Sequence, residues 1–285
     1  MLSNSIDVDE RNKIFRNLNT IHVVSSLVVL LIIGSVFLWQ MRAPSVLWME
    51  PELVIVPAGK FKYRPAGEFH QNRQIVDAPL QTRVVSTHIE IMKNLVSVSD
   101  YKLCVSAGVC NKVLTEGTQE MPQTGVSFLD AKIYAEWISS ITNQMWRLPT
   151  DEEWTRIAAE RFVDTLGIVS SDPAQRWLEE YRRNTNANKD TSVELRPLGG
   201  YGENSLGVLD MAGPIWEWTK TCLLRGEVSE VGPRLKVESK YCGVRLVEGR
   251  HRAFIIDFVR DASVGGCSAG LPPDYLGFRL VREIN

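Results

Sequence analysis

The chain has 285 residues, of which 44% are hydrophobic and 23% are charged, a composition typical of a folded globular protein. Its formal net charge of -2 gives no electrostatic basis for binding nucleic acid, so we exclude that class of partner. The first 40 residues differ in composition from the rest of the chain.

The segment Ile21–Trp39 contains no Asp, Glu, Lys or Arg. As a helix that rises ~1.5 Å per residue it spans roughly 28 Å, about one hydrocarbon core, so we predict an uncleaved transmembrane helix at residues 21–39. One alternative is a cleaved signal peptide, but the apolar run exceeds the usual ~7–15 residues and no clear cleavage site follows it. The other is a buried core helix, which an apolar surface on all sides disfavours.

The flanking charges predict the orientation of this helix. Arg11, Lys13 and Arg16 precede it, whereas Arg42 alone follows it closely, and positive charge favours the cytoplasmic side. We therefore expect residues 1–20 to be cytoplasmic, 40–51 to form a tether and 52–285 to form one exported domain. The protein would be a single-pass protein of the inner membrane, with a periplasmic domain in a Gram-negative bacterium.

Capping patterns mark the predicted helices of the domain. Ser127 with Asp130 opens a helix at Phe128–Thr142, and Thr150 with Glu153 opens one through about Arg161. Two more helices are predicted, one after Ser97 or Ser99 through about Ser106 and one at Asp172-Pro173. Short strand patterns lie at both ends of the domain, at Leu53–Val56, Arg83–Ile91, Val244–Val247, Arg252–Val259 and Leu276–Val281. This arrangement predicts an α+β domain with much irregular structure.

The five cysteines are consistent with an oxidising, exported compartment. Cys104 and Cys110 flank an Ala-Gly turn that favours a disulfide between them. Cys222 is predicted to pair with Cys242 or with Cys267, and the spacing does not choose between the two. The alternative is that all five are reduced core thiols.

Three motifs occur in order along the chain: Arg147–Trp154 (RLPTDEEW), Asp210–Thr219 (DMAGPIWEWT) and Leu276–Val281 (LGFRLV). Together they resemble the formylglycine-generating enzyme family, also called the sulfatase-modifying-factor family. The resemblance covers roughly Val54–Val281. It implies a compact, loop-rich, calcium-stabilised fold related to the C-type lectin fold.

The resemblance also implies a calcium site in the second motif. The matching ligands are the side chains of Asp210 and Glu217 and the carbonyl groups of Gly213 and Ile215, and calcium prefers such oxygen ligands. Position 214 is Pro where family members usually have Asn. A second family calcium site would fall in Asn184–Asp190, but a solvated loop is the preferred reading there. RLPTDEEW is interpreted as a structural helix start.

Family enzymes carry two closely spaced cysteines that bind copper as thiolates, chemistry that needs soft sulfur ligands. One alignment of the segment Tyr241–Asp261 puts Val247 and Arg252 at those positions, and the other puts His251 and Ile256 there. Neither supplies a thiol, so copper and iron are not expected. The remaining catalytic candidates are His251, as a general base or ligand, and the cysteines Cys242 and Cys267.

The sequence therefore indicates a membrane-anchored, exported accessory or binding protein that serves the maturation or assembly of another envelope or secreted component. The expected partners are the membrane, through the single helix, and another exported protein. The alternative hypothesis is a divergent formylglycine-generating-type or other metal-dependent oxidoreductase that acts on a protein or peptide.

Overall fold

The computed structural model describes residues 48–113, 117–164, 195–232, 234–256 and 272–284, with isolated positions 175 and 178. These belong to one compact unit, Trp48–Asn285. Four features of the sequence analysis lie outside the described residues: the predicted transmembrane helix, the helix at Asp172-Pro173, the segment Asn184–Asp190 and Cys267. Within the described residues, no helix has the length and apolar character needed to cross a membrane.

The described part of the chain is mixed α+β and rich in sheet. A four-stranded sheet has the order β1-β6-β12-β7, and a larger sheet has the order β10-β9-β8-β3-β4 with β11 beside β8. The strands β2 and β5 form a separate pair. The strand bounds are β1 Leu53–Val56, β2 Gly59–Tyr63, β3 Gly67–Gln71, β4 Gln74–Val76, β5 Gln81–Val85, β6 Ile89–Met92, β7 Trp146–Arg147, β8 Trp216–Val228, β9 Leu235–Glu248, β10 Arg252–Ile256, β11 Leu276–Gly277 and β12 Val281–Arg282.

Three α-helices of the described residues begin where the sequence predicts. They are α1 Val98–Ser106, α2 Phe128–Thr142 and α3 Asp151–Ala158, the last followed by a 3-10 turn at Ala159–Arg161. Each has a complete capping box: the hydroxyl of the N-cap residue accepts from the third backbone amide, and the acidic side chain there accepts from the N-cap amide. The first helix is capped by Ser97 rather than Ser99. The three capping predictions are therefore confirmed.

Helix α3 packs its apolar side onto the four-stranded sheet. Trp154, Ile157 and Ala158 are fully buried and contact Ile91 of β6 and Val281 of β12 in one core cluster. The same motif also supplies Arg147, whose guanidinium donates to both carboxylate oxygens of Glu153 at 2.7 Å, so the start of α3 is tied to β7.

The strand predictions are less accurate than those for the helices. The predicted strand Arg83–Ile91 is split between β5 and β6, which belong to different sheets. The predicted strand Leu276–Val281 is also split, into β11 and β12. The long strand β8 has no counterpart among the predicted strands. Beyond Ile256, the predicted strand Arg252–Val259 lies outside the described residues.

Two disulfides join four of the five cysteines. Cys104 is bonded to Cys110 across the end of α1, and Cys222 of β8 is bonded to Cys242 of β9, with Cα–Cα distances of 5.3 Å and 4.6 Å. These pairings confirm the first prediction and choose Cys242 over Cys267 as the partner of Cys222.

Candidate functional site

The second motif forms a tight turn that leads into β8, and Asp210 stands at its start. This residue adopts the left-handed backbone region, with φ of 60°, which Asp tolerates better than most residues. Its two carboxylate oxygens accept from the amides of Gly199 at 2.6 Å and Tyr201 at 2.8 Å. The Asp210 carboxylate therefore fixes the turn 199–201 against the motif.

Glu217 forms a buried ion pair with Arg279 of the LGFRLV motif. The Arg279 guanidinium donates to both Glu217 oxygens, at 2.6 Å and 2.8 Å, and the two side chains are 1% and 0% exposed. Arg279 also donates to the carbonyls of Lys93 and Leu209. A two-point contact of this kind satisfies the carboxylate in both charge and geometry.

The side chains predicted as calcium ligands thus do not fit such an ion. Each oxygen of Glu217 already accepts from a guanidinium whose positive charge would repel a cation, and each oxygen of Asp210 accepts from a backbone amide. Without the two carboxylates, only the backbone carbonyls of Gly213 and Ile215 would remain from the predicted ligand set. In the described residues, no group of three His, Cys, Asp or Glu side chains is arranged to hold a metal ion.

Of the catalytic candidates, His251 and Cys242 lie within the described residues and Cys267 lies outside them. The His251 ring meets the edge of Trp216 with centroids 4.6 Å apart, and Tyr275 lies on the same indole at 5.7 Å. Cys242 is bonded to Cys222, so it offers no thiol while the disulfide is intact. Within the described residues, the His251 ring thus belongs to an aromatic cluster with Trp216 and Tyr275.

The positions aligned with the family's copper cysteines have structural roles. Val247 is fully buried, Arg252 is paired with acidic side chains, and Ile256 is exposed on β10. In both alignments the described residues therefore provide no soft donor pair for copper.

Arg252 lies at the centre of a buried acidic cluster, defined by Asp151, Glu248, Arg252 and Tyr63. Its Nε donates to Glu248 Oε1 at 2.8 Å, and its Nη2 lies 3.3 Å from Asp151 Oδ1. The hydroxyl of Tyr63 donates to Asp151 Oδ2 at 2.6 Å. Two carboxylates, both fully buried, thus share one guanidinium.

The charge of this cluster balances when one carboxyl holds a proton. Among the described residues, Asp151 Oδ1 and Glu248 Oε2 lack a hydrogen-bond donor, and a proton on Glu248 would supply one. Burial raises the pKa of Glu248 well above its ordinary value of 4.5, and the charge and hydrogen bond of Asp151 raise it further. Burial would lower the pKa of Arg252, but the charges of Asp151 and Glu248 outweigh it and raise that pKa.

Sequence reasoning missed this cluster because its members lie far apart in the chain. Tyr63 and Asp151 are separated by 88 residues, and an acidic residue in the first turn of a helix is already explained by the positive end of the helix dipole. The one available signal was Glu248, an acidic residue next to the apolar Leu246-Val247 pair of a predicted strand. Full burial of the two carboxylates makes the cluster a structural element, since a protein substrate cannot reach them.

Comparison with known proteins identifies the family of this chain. The chain matches the sulfatase-modifying factor enzyme 1-like domain over residues 41–284. It belongs to that family. The second and third motifs meet in the fold through the ion pair of Glu217 and Arg279.

Two curated relatives and one solved structure illustrate the similarity. The chain is 35% identical over 175 residues to the serine/threonine-protein kinase pkn1 of Chlamydia pneumoniae, covering 61% of this chain and 26% of the relative. It is 32% identical over 107 residues to the formylglycine-generating enzyme of Mycobacterium tuberculosis, covering 35% of this chain and 33% of the relative. The chain thus spans about a third or less of these relatives. The structure of PvdO from Pseudomonas aeruginosa has a TM-score of 0.51 at 19% identity, covering 82% of this chain and 95% of that one, and it supports the fold.

Proposed function

We propose that this chain is a non-oxidase accessory or binding member of the family. It serves the maturation or assembly of another envelope or secreted protein. The observation that carries the proposal is the donor set: Val247 and Arg252, or His251 and Ile256, stand where the family resemblance expects the copper cysteines. Four of the five thiols are consumed by the two disulfides, and thiolates are what copper in this chemistry needs.

An open cleft supports a binding role. It has a volume of about 1190 Å³ and lies between the β3–β4 turn and the outer part of the β8–β9 ribbon. Its lining mixes both charges with an aromatic ring, including His70, Arg225, Glu230 and Tyr241. A wide polar cleft of this kind suits an extended protein segment, because ribbon backbone and charged side chains are both accessible there.

The membrane anchor at residues 21–39 is part of the proposal, with the domain on the exported side of the inner membrane. Its support is the length of the uncharged run and the basic residues before it. Alkaline carbonate extraction of cell membranes should leave the full-length protein in the pellet. Release into the supernatant would indicate a cleaved signal and remove the anchor from the proposal.

The metal content of the full-length protein, purified in detergent, tests the non-oxidase proposal directly. We expect neither copper nor iron at a stoichiometric level, and no oxygen consumption with a cysteine-containing peptide. A matched comparison with the variants His251→Ala and Cys267→Ala identifies the ligand if metal is found. Stoichiometric metal that is lost in either variant would overturn the proposal.

That outcome would favour the second candidate function, a divergent formylglycine-generating-type or other metal-dependent oxidoreductase. The similarity to the formylglycine-generating enzyme of Mycobacterium tuberculosis is the observation that supports it. The described part of the active region offers it His251, and Cys267 lies outside that part. Metal content and oxygen consumption therefore distinguish the two candidate functions.

A further inference from the structure

The two disulfides of the domain differ in accessibility. Cys104, in helix α1, and Cys110, just after it, are both buried, at 0% and 7% exposure. Cys242 is exposed on β9, and its partner Cys222 on β8 is half-buried. Access to a sulfur atom is a first requirement for attack by a thiolate, so only the second disulfide presents a suitable target.

The ladder between β8 and β9 is irregular around this disulfide. The pairing register shifts between Trp218 and Cys222, and again between Cys222 and Leu223. Between the paired positions Tyr241 and Arg245, three residues of β9 including Cys242 have no Cα partner on β8. The exposed residue Cys242 thus lies on a bulged segment, where backbone hydrogen bonds do not fix the strands as closely as in a regular ladder.

A cation is positioned beside the other sulfur atom. Arg245 Nη1 lies 3.1 Å from Cys222 Sγ and also donates to the carbonyl of Lys220 at 3.0 Å. The guanidinium stacks on the ring of Phe128 at 4.0 Å, which holds it in place. A fixed positive charge stabilises a thiolate, so Cys222 is the better leaving group of the pair.

We propose that Cys222–Cys242 is a thiol–disulfide exchange site that accepts electrons from a dithiol. A thiolate of the dithiol attacks Cys242 Sγ, the S–S bond breaks, and its electron pair leaves on Cys222 as a thiolate beside Arg245. The second thiolate of the dithiol then attacks the mixed disulfide and releases Cys242. The dithiol loses two electrons and becomes a disulfide, and the cysteine pair gains both.

This proposal goes beyond the accessory role and is independent of it, because the exchange needs neither a metal nor the anchor. The full-length protein in detergent is treated with dithiothreitol for increasing times, alkylated, and mapped by mass spectrometry. We expect Cys222–Cys242 to be reduced at least about tenfold faster than Cys104–Cys110 in the same molecules. Equal rates for the two disulfides would overturn the proposal.

The role of Arg245 is tested by substitution. The variant Arg245→Gln should slow reduction of Cys222–Cys242 several-fold, and Arg245→Lys should restore most of the rate. Lys240→Gln is the control, because it removes the same charge from an exposed position of the same ribbon. The rate at Cys104–Cys110 monitors the fold in every variant. An unchanged rate in Arg245→Gln would contradict the assignment.

The direction of attack is tested with glutathione, a monothiol that halts at the mixed disulfide. Mass mapping should place the glutathione adduct on Cys242 and a free thiol on Cys222. Adducts found mainly on Cys222 would overturn the proposed direction, since the exposed sulfur would then be the leaving group.

Discussion

Glu217 and Glu248 face each other across strands β8 and β9, are both buried, and each pairs with an arginine. Glu217 is the carboxylate that pairs with Arg279, and both of its oxygens accept from that guanidinium. Glu248 shares Arg252 with Asp151, and one oxygen of each of those carboxyls lacks a hydrogen-bond donor within the described residues. The first pair is neutral and complete, whereas the second cluster is complete only when it also holds a proton.

The difference shows that burial alone does not decide how a carboxyl behaves. The ratio of acidic to basic side chains inside the enclosure decides whether a proton is retained. The family's second and third motifs build the complete pair, and the first motif supplies Asp151 to the proton-holding cluster. The variants below test this contrast.

The largest effect is expected from Arg279→Met. Glu217 would remain in the core without its two charged donors, and breaking a buried pair in this way costs about 3–5 kcal/mol of unfolding free energy. Urea unfolding at pH 7 gives the value. Arg225→Met removes an arginine from a solvent-exposed pair with Glu68 and serves as the control. A loss no greater than that of the control would show that the Glu217 pair is not what holds β8 to the last motif.

Tyr63→Phe should have the next largest effect. It removes the hydroxyl that donates to Asp151 at 2.6 Å and leaves a buried carboxylate short of a donor, at a cost of about 1.5–3 kcal/mol. The same unfolding measurement applies, with Tyr241→Phe on the exposed ribbon as the matched change. If the two substitutions lower the free energy of unfolding equally, the Asp151 carboxylate does not need the hydrogen bond from Tyr63.

The pH dependence distinguishes the two glutamates. Because the pKa of Glu248 is raised in the folded state, the unfolded chain releases its proton first as pH increases from about 4.5. The free energy of unfolding then decreases by up to ~1.4 kcal/mol per pH unit, until the pH exceeds the pKa of Glu248 in the folded state. We expect the wild-type protein to lose stability relative to Glu248→Gln between pH 5 and pH 8. Parallel stability curves for the two proteins would mean that Glu248 is ionised in the fold.

A smaller change is expected when Glu248→Gln is compared with wild type at pH 5. The amide keeps an oxygen for Arg252 and supplies a donor toward Asp151, as the protonated acid does, so the loss should stay within about 1 kcal/mol. Glu217→Gln at the same pH replaces an ionised partner of Arg279 and should cost more. Reversal of that order would contradict the assignment of the proton to the Asp151–Glu248 cluster.

The smallest effect concerns calcium. Because Arg279 and two backbone amides already occupy the Glu217 and Asp210 carboxylates, millimolar calcium should leave the Tm where an equal concentration of magnesium leaves it. A rise specific to calcium that disappears in Asp210→Asn would restore the ion to this turn.

The sequence by itself determined the family, the α+β class, the three helix starts and the Cys104–Cys110 disulfide. These features depend on residues close together in the chain: Ser127 and Asp130 are three residues apart, and the two cysteines are six apart. Short-range hydrogen bonds and short loops form in one geometry almost regardless of the rest of the fold.

Only the tertiary structure decided which charged groups meet. Arg279 reaches Glu217 across 62 residues, and Arg252 of β10 reaches Thr155 of helix α3 across 97 residues. Sheet register and bulges place those side chains, and a shift of one residue turns a side chain to the opposite face. The motifs therefore predicted the scaffold, while the choice between a metal ligand, an ion pair and a shared proton was made by packing.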